Sequence, residues 1–109
     1  MNESRTLEFK EDITHTFLKT FSTFSNYNGG AIMFGIKDDG TIKGLDNPNN
    51  KCLDVKSLIN ANIDPIPSYS LQIDYKTNVV LLIVLEGDFK PYFYKNKAYI
   101  RNDTSTVEI

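Results

Sequence analysis

A chain of 109 residues, 40% apolar and 24% charged, makes one domain with enough core to fold without a metal or a disulfide. Its net charge of −2 excludes a broadly basic nucleic-acid binder and leaves room only for a local cationic patch. The lone Cys52 excludes an internal disulfide, and the longest apolar run, residues 79–85, is far short of a membrane span. With a polar, acidic N-terminus the expected location is the cytoplasm, with no membrane partner. Residues 106–109 carry no helix or tail pattern, so the expectation is a single domain, 1–109, that is a fragment of a longer protein.

Residues 6–10 alternate apolar and polar, which predicts a half-buried strand with Leu7 and Phe9 inward and Thr6, Glu8 and Lys10 on the outer face. Asp12 or Thr14 then caps a helix whose stripe is Ile13, Phe17, Leu18, Phe21 and Phe24. Asn28-Gly29-Gly30 is a corner, because Asn and Gly tolerate positive φ. The almost wholly apolar residues 31–37 form a central strand covered on both faces. Asp38-Asp39-Gly40-Thr41 is a hairpin turn, with a short returning strand over 41–44.

Residues 46–50 have loop composition, and a second helix over about 51–61 carries Leu53, Leu58 and Ile59, with Cys52 and Val55 flanking. Pro65 and Pro67 stop it. Tyr69, Leu71, Ile73 and Tyr75 alternate with polar residues as a strand; Lys76-Thr77-Asn78 turns it into a buried β-branched strand over 79–85. After a loop at 87–91, residues 92–94 and 98–101 form a last hairpin around Lys95-Asn96-Lys97. The order β-α-β-β-α-β-β-β-β is α+β, a mixed sheet with two helices packed against it, ending in hairpins.

Four pieces in this order resemble the Schlafen AlbA_2 domain family: Glu3-Ser4-Arg5-Thr6-Leu7-Glu8-Phe9-Lys10; Phe24-Ser25-Asn26-Tyr27-Asn28-Gly29-Gly30; Gly35-Ile36-Lys37-Asp38-Asp39-Gly40 with Gly44; and Lys90-Pro91-Tyr92-Phe93-Tyr94 with Tyr99-Ile100-Arg101. The resemblance implies a DNA-binding module of bacterial transcriptional regulators and of Schlafen proteins, with both helices against one sheet. It also implies an alternative. In Schlafen-type ribonucleases three acidic residues bind a divalent metal, and their positions look like Glu3, Glu8 and Asp39.

Three converging carboxylates need a cation, and Mg²⁺ or Mn²⁺ suits oxygen ligands and phosphoryl chemistry. Lys10, on the strand face of Glu8, could then steady the pentavalent phosphate of a ribonuclease transition state. Against this, Glu8 and Lys10 read equally as a surface charge pair, and Asp38-Asp39-Gly40 as a turn that needs no metal. Glu3 and Glu8 fall on opposite faces of an unbroken strand, so a bend near Ser4-Arg5 is required to bring them together.

The nucleic-acid reading rests on Lys10, Lys37, Lys90, Tyr92, Tyr94, Lys95, Lys97 and Arg101, with Arg5, Lys19, Lys43 and Tyr99 in support. Cations on one face meet phosphates, and tyrosine faces stack on unpaired bases. The segment 90–101 is the densest cluster; its alternative is an edge hairpin whose lysines discourage aggregation. Binding itself requires no cofactor on this reading, the preferred partner is DNA over RNA, and pairing of two sheet edges would give a homodimer. A plain protein-interaction domain is the remaining alternative. The glycine spacing from Gly30 to Gly35 matches a P-loop, but Ile36 stands where the phosphate-binding Lys belongs. His15, Cys52 and the serines have no catalytic context.

Overall fold

The computed structural model describes residues 2–108. In chain order the elements are Leu7–Lys10 (β1), Phe17–Asn26 (α1), Gly30–Phe34 (β2), Pro48–Asn62 (α2), Ile63–Asp64 (β3), Tyr69–Asp74 (β4), Val79–Val84 (β5), Phe93–Tyr94 (β6), Tyr99–Asn102 (β7) and Ser105–Glu108 (β8). The main sheet has the order β1-β2-β5-β4; β1 and β2 are parallel, and the other pairs are antiparallel. A parallel pair needs a crossover, and α1 supplies it. Two short ribbons, β3-β6 and β7-β8, complete an α+β architecture of mixed sheet and two helices. No helix among the described residues is long and apolar enough to cross a membrane.

The core lies on the helix-bearing face. Phe17, Leu18, Phe21 and Phe24 of α1 and Val55 and Ile59 of α2 bury against Ile32, Phe34, Val80 and Leu82 of the sheet. Each buried Phe contributes about 1.5–3 kcal/mol, so the α1 stripe anchors that helix. Tyr94 and Tyr99, from the two ribbons, close the same core. The opposite face carries a smaller cluster of Phe9, Ile36 and Val79, with Leu7 and Met33 partly buried beside it.

The helix-to-strand corner forms as its residues require. Gly29 has φ +79, and its N–H donates to Phe24 O at 2.9 Å. A Cβ there would lie 2.6 Å from the Val84 carbonyl, so only glycine fits. A Cβ on Gly30 would lie 2.7 Å from the Phe24 ring, which lets β2 leave directly beneath α1.

Several expectations are corrected. The alternation in β1 holds, and Leu7 and Phe9 pack inward against the smaller cluster, but Glu8, expected on an outer face, pairs in register with the core residue Ile32 and is only 7% exposed. Helix α1 begins at Phe17 behind Thr16, later than expected; Thr14 Oγ1 accepts the Thr16 N–H at 3.4 Å just ahead of it, and Thr16 itself makes no side-chain cap. The central strand ends at Phe34, because Gly35 takes φ +98. No strand forms over 41–44; a single Ile36–Ile42 bridge closes that hairpin.

Helix α2 starts at Pro48, where proline suits a first helical turn, and Leu53 is 60% exposed. The hairpin expected over 92–101 forms only at its tip, where Tyr94 and Lys97 exchange both backbone hydrogen bonds at 3.1 Å. β6 pairs with β3 and β7 pairs with β8, so residues 105–108 are strand, and the element order is β-α-β-α followed by six strands.

Candidate nucleic-acid interface

The best-defined polar cluster lies where β1 meets β7. Arg101 Nη1 donates to Glu8 Oε1 at 2.7 Å, with both residues buried. The guanidinium also reaches Thr106 Oγ1 at 3.1 Å and Ser4 O at 3.2 Å, and it lies 5.7 Å from the centre of the Phe24 ring. Thr106 in turn shares a hydrogen bond with Thr20 of α1 at 3.1 Å. Lys10 Nζ stands 3.7 Å from Glu8 Oε2 and donates to Thr16 Oγ1 at 3.2 Å. Glu8 Oε2 and Arg101 Nε are buried without a hydrogen-bond partner.

The three carboxylates suggested as metal ligands are each engaged elsewhere. The chain does turn back at residues 4–7, through the Ser4–Leu7 bridge. That turn brings Glu3 alongside β1, where its Oε2 accepts the Phe9 N–H at 2.9 Å. Glu8 is neutralised by Arg101. Asp39 sits exposed in the hairpin, where the Thr41 side chain, and then the Thr41 N–H at 2.9 Å, hold its carboxyl below the ordinary 3.8. Among the described residues no three His, Cys, Asp or Glu side chains are grouped to hold a metal ion. The orphaned Glu8 Oε2 alone is too little to hold one, so the Glu3, Glu8 and Asp39 set does not fit Mg²⁺ or Mn²⁺ in this arrangement, and Lys10 has no metal-bound phosphate to serve.

The cations and tyrosines divide differently from the linear cluster. Tyr92, Tyr94, Tyr99 and Arg101 are 1%, 3%, 6% and 5% exposed, so none can offer a ring or a guanidinium to an outside strand. Tyr92 is a structural post. Its backbone N–H and carbonyl pair with the Asn26 side chain at 2.6 and 2.9 Å, and its hydroxyl accepts the Phe89 N–H at 3.0 Å. Lys90 is tied to Glu86, and Lys43 to Asp12 at 2.8 Å and Glu11 at 3.8 Å. Lys37 is exposed but sits on the separate hairpin beside Asp39.

What remains is a patch on α1 and the C-terminal ribbons. Lys19 lies 5.7 Å from the centre of the Tyr99 ring. Tyr99 is the cross-strand partner of Glu108, which Lys97 meets at 3.2 Å. Lys97 bridges to Tyr94, whose ring carries Lys95 at 5.4 Å. Three exposed lysines, Lys19, Lys95 and Lys97, are thus gathered by shared neighbours, with Glu108 the one carboxylate paired among them among the described residues.

One helical turn along from Lys19 begins a cleft of about 210 Å³. Its walls include Arg5, Thr23, Phe24, Tyr27, Asn28 and Arg101. Sequence reasoning used Tyr27 and Asn28 only as parts of a corner. The available signal was an aromatic residue standing off the buried stripe of α1, next to the glycines that fix its position.

Comparison with known proteins agrees with this fold. Residues 3–109 match the family model described as Schlafen, AlbA_2. A search of the curated proteins finds no match. The DIP2311 protein of Corynebacterium diphtheriae superposes with a TM-score of 0.71 at 19% identity, over 96% of this chain and 22% of its own length. The present chain therefore spans about a fifth of that protein. The N-terminal domain of a protein from Nitrosomonas europaea, named as RecG-related and as an ATP-dependent DNA helicase, gives a TM-score of 0.62 at 21% identity, over 87% of this chain and 73% of its own. The chain belongs to the Schlafen AlbA_2 family.

Proposed function

From its place in that family we propose that the chain is a nucleic-acid-binding module, with DNA preferred over RNA, serving a larger regulatory or DNA-processing protein. The observation that carries this reading is the gathering of Lys19, Lys95 and Lys97 on one patch beside the Arg5 cleft, in a chain whose overall charge is negative. Local concentration of cations is what phosphate contact needs, since each neutralised phosphate releases condensed counterions. The DNA preference draws on the family's usual role and on the DNA-helicase name of the Nitrosomonas neighbour. Acidic residues elsewhere disfavour non-specific binding over the whole surface.

Fluorescence anisotropy with duplex DNA, single-stranded DNA and structured RNA, between about 50 and 200 mM salt, tests the proposal. With three to four phosphates contacted, the slope of log affinity against log salt should be about −3 on duplex DNA. Lys19→Ala and Lys97→Ala should each make it shallower by about 1. Salt-independent binding, or no binding to any of the three nucleic acids, would refute it and favour a protein-interaction domain.

A further inference from the structure

We infer that the cleft between the turn ahead of β1, the end of α1 and β7 is a pocket for one unstacked nucleobase with its phosphate, so that the domain grips an unpaired strand. The inference rests on the nucleic-acid reading and adds where and in what form the nucleic acid is held. The cleft's volume, about 210 Å³, lies below the roughly 300–1,000 Å³ of pockets that enclose drug-sized ligands, and it is suited to a single flat ring system.

Its chemistry is that of a base and a phosphate. Tyr27, 44% exposed, offers a ring face at the mouth, and the Phe24 ring forms part of the wall. The exposed Asn28 amide can both donate to and accept from a base edge. Arg5, also exposed, provides the charge for a phosphate, and no carboxylate lines the cleft among the described residues. Arg101, deeper in, is already committed to Glu8, which leaves Arg5 as the wall's available cation.

The pocket is preformed. A Cβ on Gly29 would lie 2.6 Å from the Val84 carbonyl and one on Gly30 2.7 Å from the Phe24 ring, so the corner that carries Tyr27 and Asn28 is packed closely against its neighbours. A duplex keeps its bases stacked inside, so only an unpaired or extruded nucleotide can enter. The lysine patch, one helical turn away, would then track the neighbouring phosphates of the same strand.

The test is a two-by-two cycle. Wild type and Tyr27→Ala are each titrated with a single-stranded DNA and with an abasic strand of the same length, which keeps the phosphates and lacks the bases. Stacking of one base predicts a loss of roughly 5- to 150-fold on changing either partner, and little further loss on changing both. Arg5→Ala should weaken binding to both strands equally, and the distant Lys76→Ala should weaken neither.

If wild type binds the two strands equally, or Tyr27→Ala binds like wild type, the pocket is refuted while the nucleic-acid reading stands. If wild type binds neither strand, nor duplex DNA, nor structured RNA, that reading falls, and the pocket is judged by titrating a deoxynucleoside monophosphate against the amide resonances of residues 27–29. Shifts there support it, and their absence overturns it.

Discussion

Replacing Arg101 by Met should be the most damaging single change in this domain that leaves side-chain volume nearly intact. The substitution keeps an unbranched side chain and removes the guanidinium, with its place over the Phe24 ring. Glu8, only 7% exposed, then loses the 2.7 Å partner that neutralises it. Stranding a buried carboxylate in this way costs about 3–5 kcal/mol. Lys10, 3.7 Å from the other oxygen, supplies partial compensation and places the expectation toward the lower end.

Glu8→Gln should cost less, about 1–3 kcal/mol, because the amide oxygen still accepts from the guanidinium, and Ser4 O and Thr106 Oγ1 remain at 3.2 and 3.1 Å. The double change Glu8→Leu with Arg101→Met should be milder than Arg101→Met alone, since neither charge is left buried. Urea denaturation followed by circular dichroism measures all three. Against a total stability of about 5–15 kcal/mol the single change should be plain in the midpoint. An Arg101→Met cost below about 1 kcal/mol, the range of exposed pairs, would refute the buried-pair reasoning, as would a double variant that costs as much as or more than Arg101→Met alone.

Gly29→Ala combines a left-handed backbone with a Cβ 2.6 Å from the Val84 carbonyl, and should cost more than about 2 kcal/mol, read as a shift in the denaturation midpoint. Burial pushes the Cys52 thiol above its ordinary 9.0, with Lys56 opposing weakly, so at pH 8 its reaction with a disulfide reagent should be slower than that of free cysteine; an equal or faster rate would contradict this. Asp39 has a folded-state value below the unfolded 3.8. Its contribution to stability is therefore present above that value and lost as pH falls through the folded one. Carboxyl NMR titration should show it ionising below the ordinary 3.8, and Thr41→Val should move it back up.

Periodicity was enough to read α1, β4 and β5, because one buried face dictates their patterns, and the αL glycines announced themselves by composition. The face of Glu8 was not readable from β1 itself. Alternation says which residues share a side, and here both sides of the sheet are partly covered. What covers Glu8 is Arg101, 93 residues away. The same non-locality hid the tyrosines. Lys95-Asn96-Lys97 reads as the turn of a local hairpin, and Tyr94 and Lys97 do pair across it, but β6 finds its strand partner in β3 and β7 in β8. Once those pairings form, Tyr92, Tyr94 and Tyr99 belong to the core, and the exposed aromatic of the site becomes Tyr27. The start of α2 was misread because Asp46-Asn47-Pro48 has a loop's composition, although Pro at a first helical turn is itself a start signal.

The Glu8–Arg101 pair explains why the domain spends a buried charge where apolar residues would hold as well. An apolar contact between β1 and β7 would tolerate a slide of the ribbon; the guanidinium does not, because its Glu8 and Ser4 acceptors lie outside the ribbon and are met at one position only. A slip of one residue turns Arg101 to the other side of β7 and leaves Glu8 alone in the core. Register matters here because β7 carries Tyr99 beneath Lys19 and Ile100 into the wall of the cleft opposite Arg5 and Tyr27. Fixing that strand against β1 thus fixes the distance between the lysine patch and the pocket. On the proposed reading, a domain that follows one strand from phosphate to base requires that distance to be constant.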